Sequence, residues 1–286
     1  MKLMQFLKDG ETRLGIILEN GIVDVAASGA DMPQNMAEAI ALGDKLIPIL
    51  TPLAENPPKL IPESEAVFLP PVSDPEKILC IGLNYKQHIL EFERKDGVPD
   101  YPVIFGKFRN ALIAHKDSVR LCKASSQHDY EAEIVIVIGK ICKDVSREEA
   151  LDYVFGYTLA NDISARDLQH LTNQWMAGKS CDTFCPVAPC IATADSVKYN
   201  EMHIVGRKNG EIRQESDSSL MIYDIPYLVS FISSIMTLKP GDLILTGTPS
   251  GVIGGRPENE RDWLKDGDTV SVTVDGIGTL ENTIKE

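Results

Sequence analysis

The feature that most constrains the fold is a run of branched apolar residues, 134–138 (IVIVI), that directly follows the segment DYEAE. Such a run predicts a strand that is buried on both faces inside a sheet. Residues i and i+2 of a strand point to the same face, so Glu131 and Glu133 project side by side while Ala132 points away. The chain therefore places two negative charges at the start of a buried strand.

Two like charges this close raise each other's pKa unless a positive group lies between them. The strand itself contains no Lys or Arg, and Asp162, at the end of the apolar run YTLAND, offers a third carboxylate. Three carboxylates and water form an oxygen-only site that suits Mg²⁺ or Mn²⁺ better than Zn²⁺. The spacing alone leaves a second interpretation open, in which these are solvated acids at strand ends.

Composition narrows the class of protein. The chain has 286 residues, a length that fits one large domain or a large domain followed or preceded by a small one. Hydrophobic residues make up 43% of it, which is ordinary for a globular protein. Its formal net charge of −14 argues against nucleic acid and anionic membrane surfaces as partners. There is no secretory signal pattern and no run of roughly 18 apolar residues that would span a bilayer. We expect a cytoplasmic protein, with a mitochondrial location left open.

The six cysteines include no C-x-x-C pair, which predicts reduced thiols in a reducing compartment. Cys181, Cys185 and Cys190 fit no common zinc spacing and have no His nearby, so we expect no zinc site there.

Turn signals and apolar patterns predict the organisation of the chain. Residues 1–25 break into short strands, 35–51 have helical periodicity, and proline is dense from 52 to 71. We therefore predict a small β-rich N-terminal domain with a proline-rich linker, residues 1–70, and a larger second domain, residues 71–286.

The second part alternates strands with few helices, which predicts a strand-rich α+β fold. A Ser-x-x-Glu capping box at Ser146 and Glu149 predicts a helix after the IVIVIG strand, and PYLVSFISSIM predicts a buried helix. The runs TVSVTVDG and GTLENTI predict a hairpin around Asp275 and Gly276.

Six motifs occur together in a characteristic order: IGLNYKQHILE, VIFGKFRNALI, DYEAEIVIVIGK, GYTLANDISARDLQ, GKSCDTFCPVAPCI and GDLILTGTPSGVIGG. In this order they resemble the fumarylacetoacetate hydrolase family over about residues 70–286. The N-terminal segment resembles the small leading domain that many members carry. The resemblance implies a mixed β-roll catalytic domain, commonly dimeric, with Mg²⁺ or Mn²⁺ held by Glu131, Glu133 and Asp162.

The resemblance also implies a catalytic His88–Glu91 pair and an active-site Lys179. Residues three apart face the same way on a helix, so Glu91 can hold the imidazole in one tautomer and let His88 take a proton. Lys179 would pair with a developing oxyanion or a substrate carboxylate. The alternatives are a surface His beside a surface Glu, and a solvated lysine.

Substrate binding is assigned by the same resemblance to Arg166, Gln169 and Thr248. Arg166 has an alternative role as the partner of neighbouring acids, and the TGTP segment around Thr248 is alternatively a tight turn only. Two positions depart from the family pattern: Leu83, where some members carry Arg, and Asp217, in a loop that we expect at the substrate end of the site.

The charged segment EFERKDGVPDYP, residues 91–102, predicts a mobile lid that carries His88 to the substrate, with an ordinary surface loop as the alternative.

Members of this family act on small 2-oxo or 2,4-dioxo carboxylic acids. A bound metal would stabilise the enolate that forms during C–C cleavage. We expect acylpyruvate hydrolysis first, oxaloacetate decarboxylation second and enol–keto tautomerisation third. The rival from another class is a pseudoenzyme that binds metal without turnover.

Overall fold

The computed structural model describes residues 1–29, 31–92 and 97–286, which form a strand-rich α+β fold. The first ten strands are β1 Lys2–Lys8, β2 Glu11–Leu18, β3 Gly21–Asp24, β4 Leu60–Ile61, β5 Val67–Leu69, β6 Ile78–Gly82, β7 Val103–Lys107, β8 Leu112–Ile113, β9 Ser118–Arg120 and β10 His128–Asp129. The other nine are β11 Ala132–Ile138, β12 Val154–Asn161, β13 Ser164–Ala165, β14 Cys185–Thr193, β15 His203–Lys208, β16 Glu211–Asp217, β17 Leu243–Leu245, β18 Thr269–Val274 and β19 Gly278–Lys285.

The α-helices of the described residues are short. They are α1 Met36–Leu42, α2 Leu46–Glu55, α3 Lys86–Glu91, α4 Arg166–Gln169, α5 Met176–Lys179 and α6 Ile225–Ile235. No helix in the described part of the chain is long and apolar enough to cross a membrane.

The strands form one large sheet and two smaller ones. The twelve-stranded sheet has the order β4-β3-β2-β1-β14-β12-β11-β17-β6-β7, with β5 paired to β1 and β8 paired to β14. A five-stranded sheet has the order β16-β15-β18-β19-β9, and β10 pairs with β13. The predicted hairpin is β18–β19, whose strands pair from Val274 and Gly278 outward.

Strand β11 contains the apolar run 134–138 and lies in the interior of the large sheet. All seven of its residues are buried, and it lies between β12 and β17. Ile134 and Ile136 belong to one hydrophobic cluster, while Val135 and Val137 belong to another on the opposite face. Full burial of each such side chain stabilises the fold by about 1.5–3 kcal/mol. Burial on both faces therefore stabilises the strand in the interior of the sheet.

The N-terminal strands extend the same large sheet. β1 pairs antiparallel with β14 through Lys2 and Leu3. Met4 and Phe6 pack in the first cluster and Leu3 packs in the second, so both clusters take residues from either side of position 70. The separate N-terminal domain, residues 1–70, stays a prediction.

Two of the predicted helical segments are confirmed. The segment 35–51 is covered mainly by α1 and α2, and the Asn35 side chain caps α1 by accepting the N–H of Glu38. The buried helix is α6, which Asp224 caps by accepting the N–H of Tyr227.

The helix predicted after Ser146 is wrong. The Ser146 hydroxyl does accept the Glu149 N–H and donate to its carboxylate, at 3.3 and 2.9 Å. However, the chain continues only as a 3₁₀ turn, Ala150–Tyr153, because β12 begins at Val154. The capping pair therefore closes a turn that is too short for an α-helix.

The predicted lid falls partly outside the described residues, since 93–96 are not among them. After that gap the chain contacts α6 and the residues just before it. The Tyr223 hydroxyl donates to the carbonyl of Pro99, and Tyr101 stacks on Phe231 of α6 at 6.1 Å between ring centroids. Closure over the cleft stays a prediction.

Candidate active site

Four strands bring the candidate residues to one end of the sheet. β11 runs antiparallel to both β12 and β17, and β6 runs parallel to β17. The beginning of β11 therefore lies beside the ends of β12, β17 and β6. Glu131 precedes β11, Asp162 follows β12, Thr248 follows β17, and α3 follows β6.

The three acids predicted as metal ligands come together. Glu131, Glu133 and Asp162 are all buried, and one oxygen from each lies within 4.8 Å of the others. Their backbones fix this spacing, because the Asp162 N–H donates to the Glu131 carbonyl at 2.8 Å. The Asn161 side-chain oxygen accepts the Glu131 N–H at 2.9 Å and adds a second constraint.

Positive side chains from distant segments contact this cluster. Lys179 Nζ lies 2.6 Å from Glu131 Oε2 and 2.9 Å from Asp162 Oδ2. Lys107, the last residue of β7, donates to the other Asp162 oxygen and, at 3.1 Å, to the carbonyl of Ile163. Arg166 Nη2 lies 2.7 Å from Glu131 Oε1. Lys107 was not predicted from the sequence, because it lies 55 positions from Asp162 and not along the strand of the acids.

The environments of the two glutamates drive their pKa values apart. Burial acts to raise the pKa of Glu131, but the charges of Lys179 and Arg166 outweigh it and lower that pKa to about 2. Burial, then the carboxylates of Asp162 and Glu131, raise the pKa of Glu133 well above its ordinary value. The Glu133 carboxylate accepts the Gly247 N–H at 2.8 Å.

The residues present fit a divalent cation. The donors are carboxylate oxygens, the type that Mg²⁺ and Mn²⁺ prefer. Among the described residues, Glu133 is in ion-pair contact with no Lys, Arg or His. A buried carboxylate without a cationic partner strongly disfavours its charged form, and a divalent ion beside it would reverse that preference.

His88 and Glu91 form a pair on α3 in which the histidine is buried and the glutamate is partly buried. His88 Nδ1 lies 2.6 Å from Glu91 Oε1, and the other Glu91 oxygen accepts the Gly251 N–H at 2.8 Å. His88 is 6% exposed, which rules out the surface-histidine alternative. Glu91 thus orients the imidazole, and Gly251 orients Glu91.

A cleft of about 300 Å³ opens beside these groups. Six of the nine predicted site residues line it: His88, Glu131, Arg166, Gln169, Lys179 and Thr248. The other three do not line the cleft: Glu91 contacts His88, and Glu133 and Asp162 lie beside Glu131. Phe105 and Trp175 form an aromatic part of the wall, with ring centroids 5.4 Å apart.

The fumarylacetoacetate (FAA) hydrolase C-terminal family model matches residues 77–285. The chain belongs to this family.

Similar proteins cover almost the whole chain. Oxaloacetate tautomerase fahd2, mitochondrial, from Xenopus laevis is 36% identical over 99% of this chain and 90% of its own length. Oxaloacetate tautomerase YisK from Bacillus subtilis is 41% identical over 88% of this chain and 87% of its own. The solved fumarylacetoacetate hydrolase of Exiguobacterium antarcticum has a TM-score of 0.85 at 33% identity and covers 100% of this chain and 99% of its own.

Arg166 pairs with neighbouring acids, as its alternative role predicts, and it also lines the cleft, while its role in substrate binding stays a prediction. Its Nε donates to Asp129 Oδ2 at 2.8 Å and its Nη1 donates to Gln169 Oε1 at 2.9 Å, while its side chain also lines the cleft. Thr248 Oγ1 accepts a hydrogen bond from Gln214 Nε2 at 2.8 Å. The acid Asp129 was missed by sequence reasoning, although it stands two residues before Glu131.

The two departures from the family pattern have different positions. Leu83 lines the cleft and has a φ of 60°, which is uncommon for a residue with a side chain. Asp217 lies at the end of β16, contacts His203 Nδ1 at 3.2 Å and is not among the residues lining the cleft. Leu83, rather than Asp217, therefore lies where it can contact a ligand.

Proposed function

We propose that the protein is a divalent-metal-dependent tautomerase that interconverts the enol and keto forms of a small 2-oxo acid of the oxaloacetate type. The observation that carries the proposal is the hydrogen-bonded His88–Glu91 pair, whose buried histidine lines a cleft that is also lined by Glu131, Lys179 and Arg166. The names of the Xenopus and Bacillus relatives support tautomerisation over the acylpyruvate hydrolysis that we expected first from the sequence.

Tautomerisation moves one proton between carbon 3 and the enol oxygen of the substrate. The Glu91 carboxylate accepts the Nδ1–H of His88, which leaves the lone pair of Nε2 free to take or return that proton. The Glu91 charge also stabilises the imidazolium that forms when Nε2 is protonated.

The intermediate of this reaction is an enolate, so the site must stabilise negative charge. When bound to Glu131, Glu133 and Asp162, Mg²⁺ or Mn²⁺ would act as a Lewis acid toward the 2-oxo acid. Lys179 and Arg166 place two positive groups at the cleft to bind carboxylate or enolate oxygens. The Lys179 ammonium stays charged, because burial lowers its pKa less than Asp162 and Glu131 raise it.

The test is the rate of enol-to-keto conversion of oxaloacetate, followed by the loss of enol absorbance with purified protein and Mg²⁺ or Mn²⁺. We expect conversion faster than with the metal alone, and about 100-fold slower in His88→Gln because a general acid–base group contributes about that much. His203→Gln is the matched control, since this partly exposed histidine pairs with Asp217 away from the cleft. No acceleration by the wild-type protein would overturn the proposal.

A second candidate is cleavage of a C–C bond in a 2,4-dioxo acid such as an acylpyruvate, or decarboxylation of oxaloacetate. The same pair favours hydrolysis, because His88 Nε2 can take a proton from water as well as from carbon. The Exiguobacterium neighbour is named as a hydrolase, which supports it further. Release of pyruvate from acetylpyruvate, or of CO₂ from oxaloacetate, distinguishes these reactions. Normal Mg²⁺ binding with no turnover of any 2-oxo acid would favour the pseudoenzyme.

A homodimer and a cytoplasmic location complete the proposal. Light scattering on a gel-filtration column tests the first, and cell fractionation tests the second. The Xenopus relative carries the word mitochondrial in its name, so a mitochondrial fraction is the outcome that would reverse the location.

A further inference from the structure

Asp129 makes four hydrogen bonds that have no role in the proposed reaction as described so far. Its carboxylate is fully buried, and each oxygen accepts two hydrogen bonds. Oδ1 accepts the N–H of Tyr130 at 2.9 Å and that of Ile253 at 2.8 Å. Oδ2 accepts the N–H of Gly254 and Nε of Arg166, both at 2.8 Å. One carboxylate therefore holds both a loop and the arginine of the cleft.

The loop in question, residues 251–255, contacts Glu91 on its other side. The Gly251 N–H donates to Glu91 Oε2 at 2.8 Å. At Gly255, an added Cβ would lie 2.5 Å from Glu91 Cδ, so this glycine is already against the carboxylate. Tyr130, the residue after Asp129, donates its hydroxyl to the Gly251 carbonyl at 3.0 Å. The loop thus lies between Asp129 and the catalytic pair.

Arg166 extends the same network toward the acid cluster. Its guanidinium joins Asp129 Oδ2 at one edge to Glu131 Oε1 at the other. Glu131 belongs to the candidate metal site, whereas Glu91 belongs to the proton-transfer pair. Asp129 is therefore bonded on one side to a partner of the metal site and on the other to the loop that contacts Glu91.

We propose that Asp129 is a positioning residue: through the backbone of residues 251–255 it holds Glu91, and hence the His88 imidazole, in the orientation used for proton transfer. Asp129 is fully buried and is not among the residues that line the cleft, so it acts through its neighbours and not on the substrate directly. Its effect reaches His88 by two connections, from the carboxylate to the loop and from the loop to Glu91.

Asp129→Asn is a sharp test because both orientations of an amide fail. Asparagine offers one acceptor oxygen where aspartate offers two. If the amide nitrogen replaces Oδ1, the N–H groups of Tyr130 and Ile253 lose their acceptor. If it replaces Oδ2, Gly254 and Arg166 lose theirs. In either case part of the loop or the arginine is left unpaired in a buried site, while the side-chain volume is unchanged.

The first measurement is the nitrogen NMR spectrum of the histidine side chains, which needs neither substrate nor metal. The chain has five histidines, and His88→Gln identifies the signal of His88 by its loss. In the wild type we expect one fixed tautomer, with Nδ1 protonated and Nε2 bare. Asp129→Asn and Glu91→Gln should both move the two His88 nitrogen shifts toward each other. Unchanged shifts in folded Asp129→Asn would overturn the proposal.

Asp242→Asn is the matched control. Asp242 is also fully buried and accepts two backbone N–H groups, from Lys77 and Lys239, together with the Lys77 ammonium. It precedes β17, whereas Thr248 and the loop follow that strand. We expect it to lower the melting temperature without moving the His88 signals. Movement equal to that in Asp129→Asn would mean that any buried aspartate has this effect, which contradicts a specific role.

Gly255→Ala tests the same connection if Asp129→Asn does not fold. The new methyl group pushes the flexible end of Glu91 and leaves every hydrogen bond of Asp129 in place. The His88 shifts should change in the same direction as in Glu91→Gln. Unchanged shifts would show that the loop does not set Glu91 and would overturn the proposal.

The second measurement is a double-mutant cycle on turnover, and this arm rests on the proposed function. Asp129→Asn should lower kcat about 10-fold, a part of what a general base contributes, and should leave KM for the 2-oxo acid less affected. The double variant with Glu91→Gln should be no slower than Glu91→Gln alone, because both changes disturb one unit. Fully additive losses would contradict the connection. If the wild type shows no turnover, the proposed function fails, and the NMR experiment still decides the role of Asp129.

Discussion

The acid cluster and the His88–Glu91 pair meet at one cleft, but the fold holds them in different ways. Glu131 and Asp162 flank two adjacent strands in the interior of the large sheet, and their backbones are hydrogen-bonded to each other. His88 and Glu91 lie on a helix of six residues, and the Glu91 carboxylate is hydrogen-bonded to His88 and to the Gly251 N–H.

Because of this difference, we expect changes at the cation-bound acids to affect stability and changes at the His88–Glu91 pair to affect turnover. Glu131 and Asp162 are bound by buried cations, so changing either one leaves an uncompensated charge in the core and costs folding free energy. The pair is bound by a few hydrogen bonds at the edge of the cleft, so changing it mainly affects proton transfer.

The largest effect is expected for Asp162→Ala. It leaves Lys107 and Lys179 buried with a missing anion, which should reduce the free energy of unfolding by about 3–5 kcal/mol. It should also abolish the rise in melting temperature that Mg²⁺ causes. Thermal melts with and without Mg²⁺ measure both, and a normal Mg²⁺ response would remove Asp162 from the metal site.

The next largest effect is expected for Lys107→Met. It should reduce the free energy of unfolding by about 3 kcal/mol, because Asp162 keeps only one of its two cationic partners. Its matched control is Lys208→Met, which removes an equally buried lysine from Asp262 and Asp268. Both variants should melt earlier in thermal scans. Only Lys107→Met should alter the Mg²⁺ concentration needed for stabilisation. The same Mg²⁺ midpoint in both variants would separate Lys107 from the site.

Glu91→Gln should act on chemistry alone. We expect kcat to fall about 10-fold, since the imidazole loses the negative charge that fixes and stabilises it. The melting temperature and its response to Mg²⁺ should match the wild type. Turnover assays and thermal melts on the same samples provide the check, and a lost Mg²⁺ response would mean that the two regions are not separable.

The smallest effect, and of opposite sign, is expected for Glu133→Gln without metal. The pKa of Glu133 is raised in the folded protein, so its ionised form destabilises the fold at neutral pH. Glutamine removes that charge and should raise the free energy of unfolding by about 1 kcal/mol in the presence of a chelator. A denaturant titration measures it, and a large decrease would show that the charge has a cationic partner.

Local patterns in the sequence predicted β11 and the acids at its start. The IVIVI run identified β11, and the i, i+2 rule placed Glu131 and Glu133 on one side of it. Lys107 and Asp129 were missed because their roles depend on contacts across 55 and 37 positions, to Asp162 and Arg166. The capping box at Ser146 failed for a related reason: the following strand, not the local signal, decides where the helix must end.

The pairing of β1 with β14 has a consequence for association between molecules. All nine residues of β14 are buried, and β1 covers its backbone at Ile191 and Ala192. Without the N-terminal strands, this part of β14 would face water as an apolar edge with free N–H and C=O groups, the kind of surface on which strands of other chains add. The first strand therefore protects the sheet from edge-to-edge aggregation.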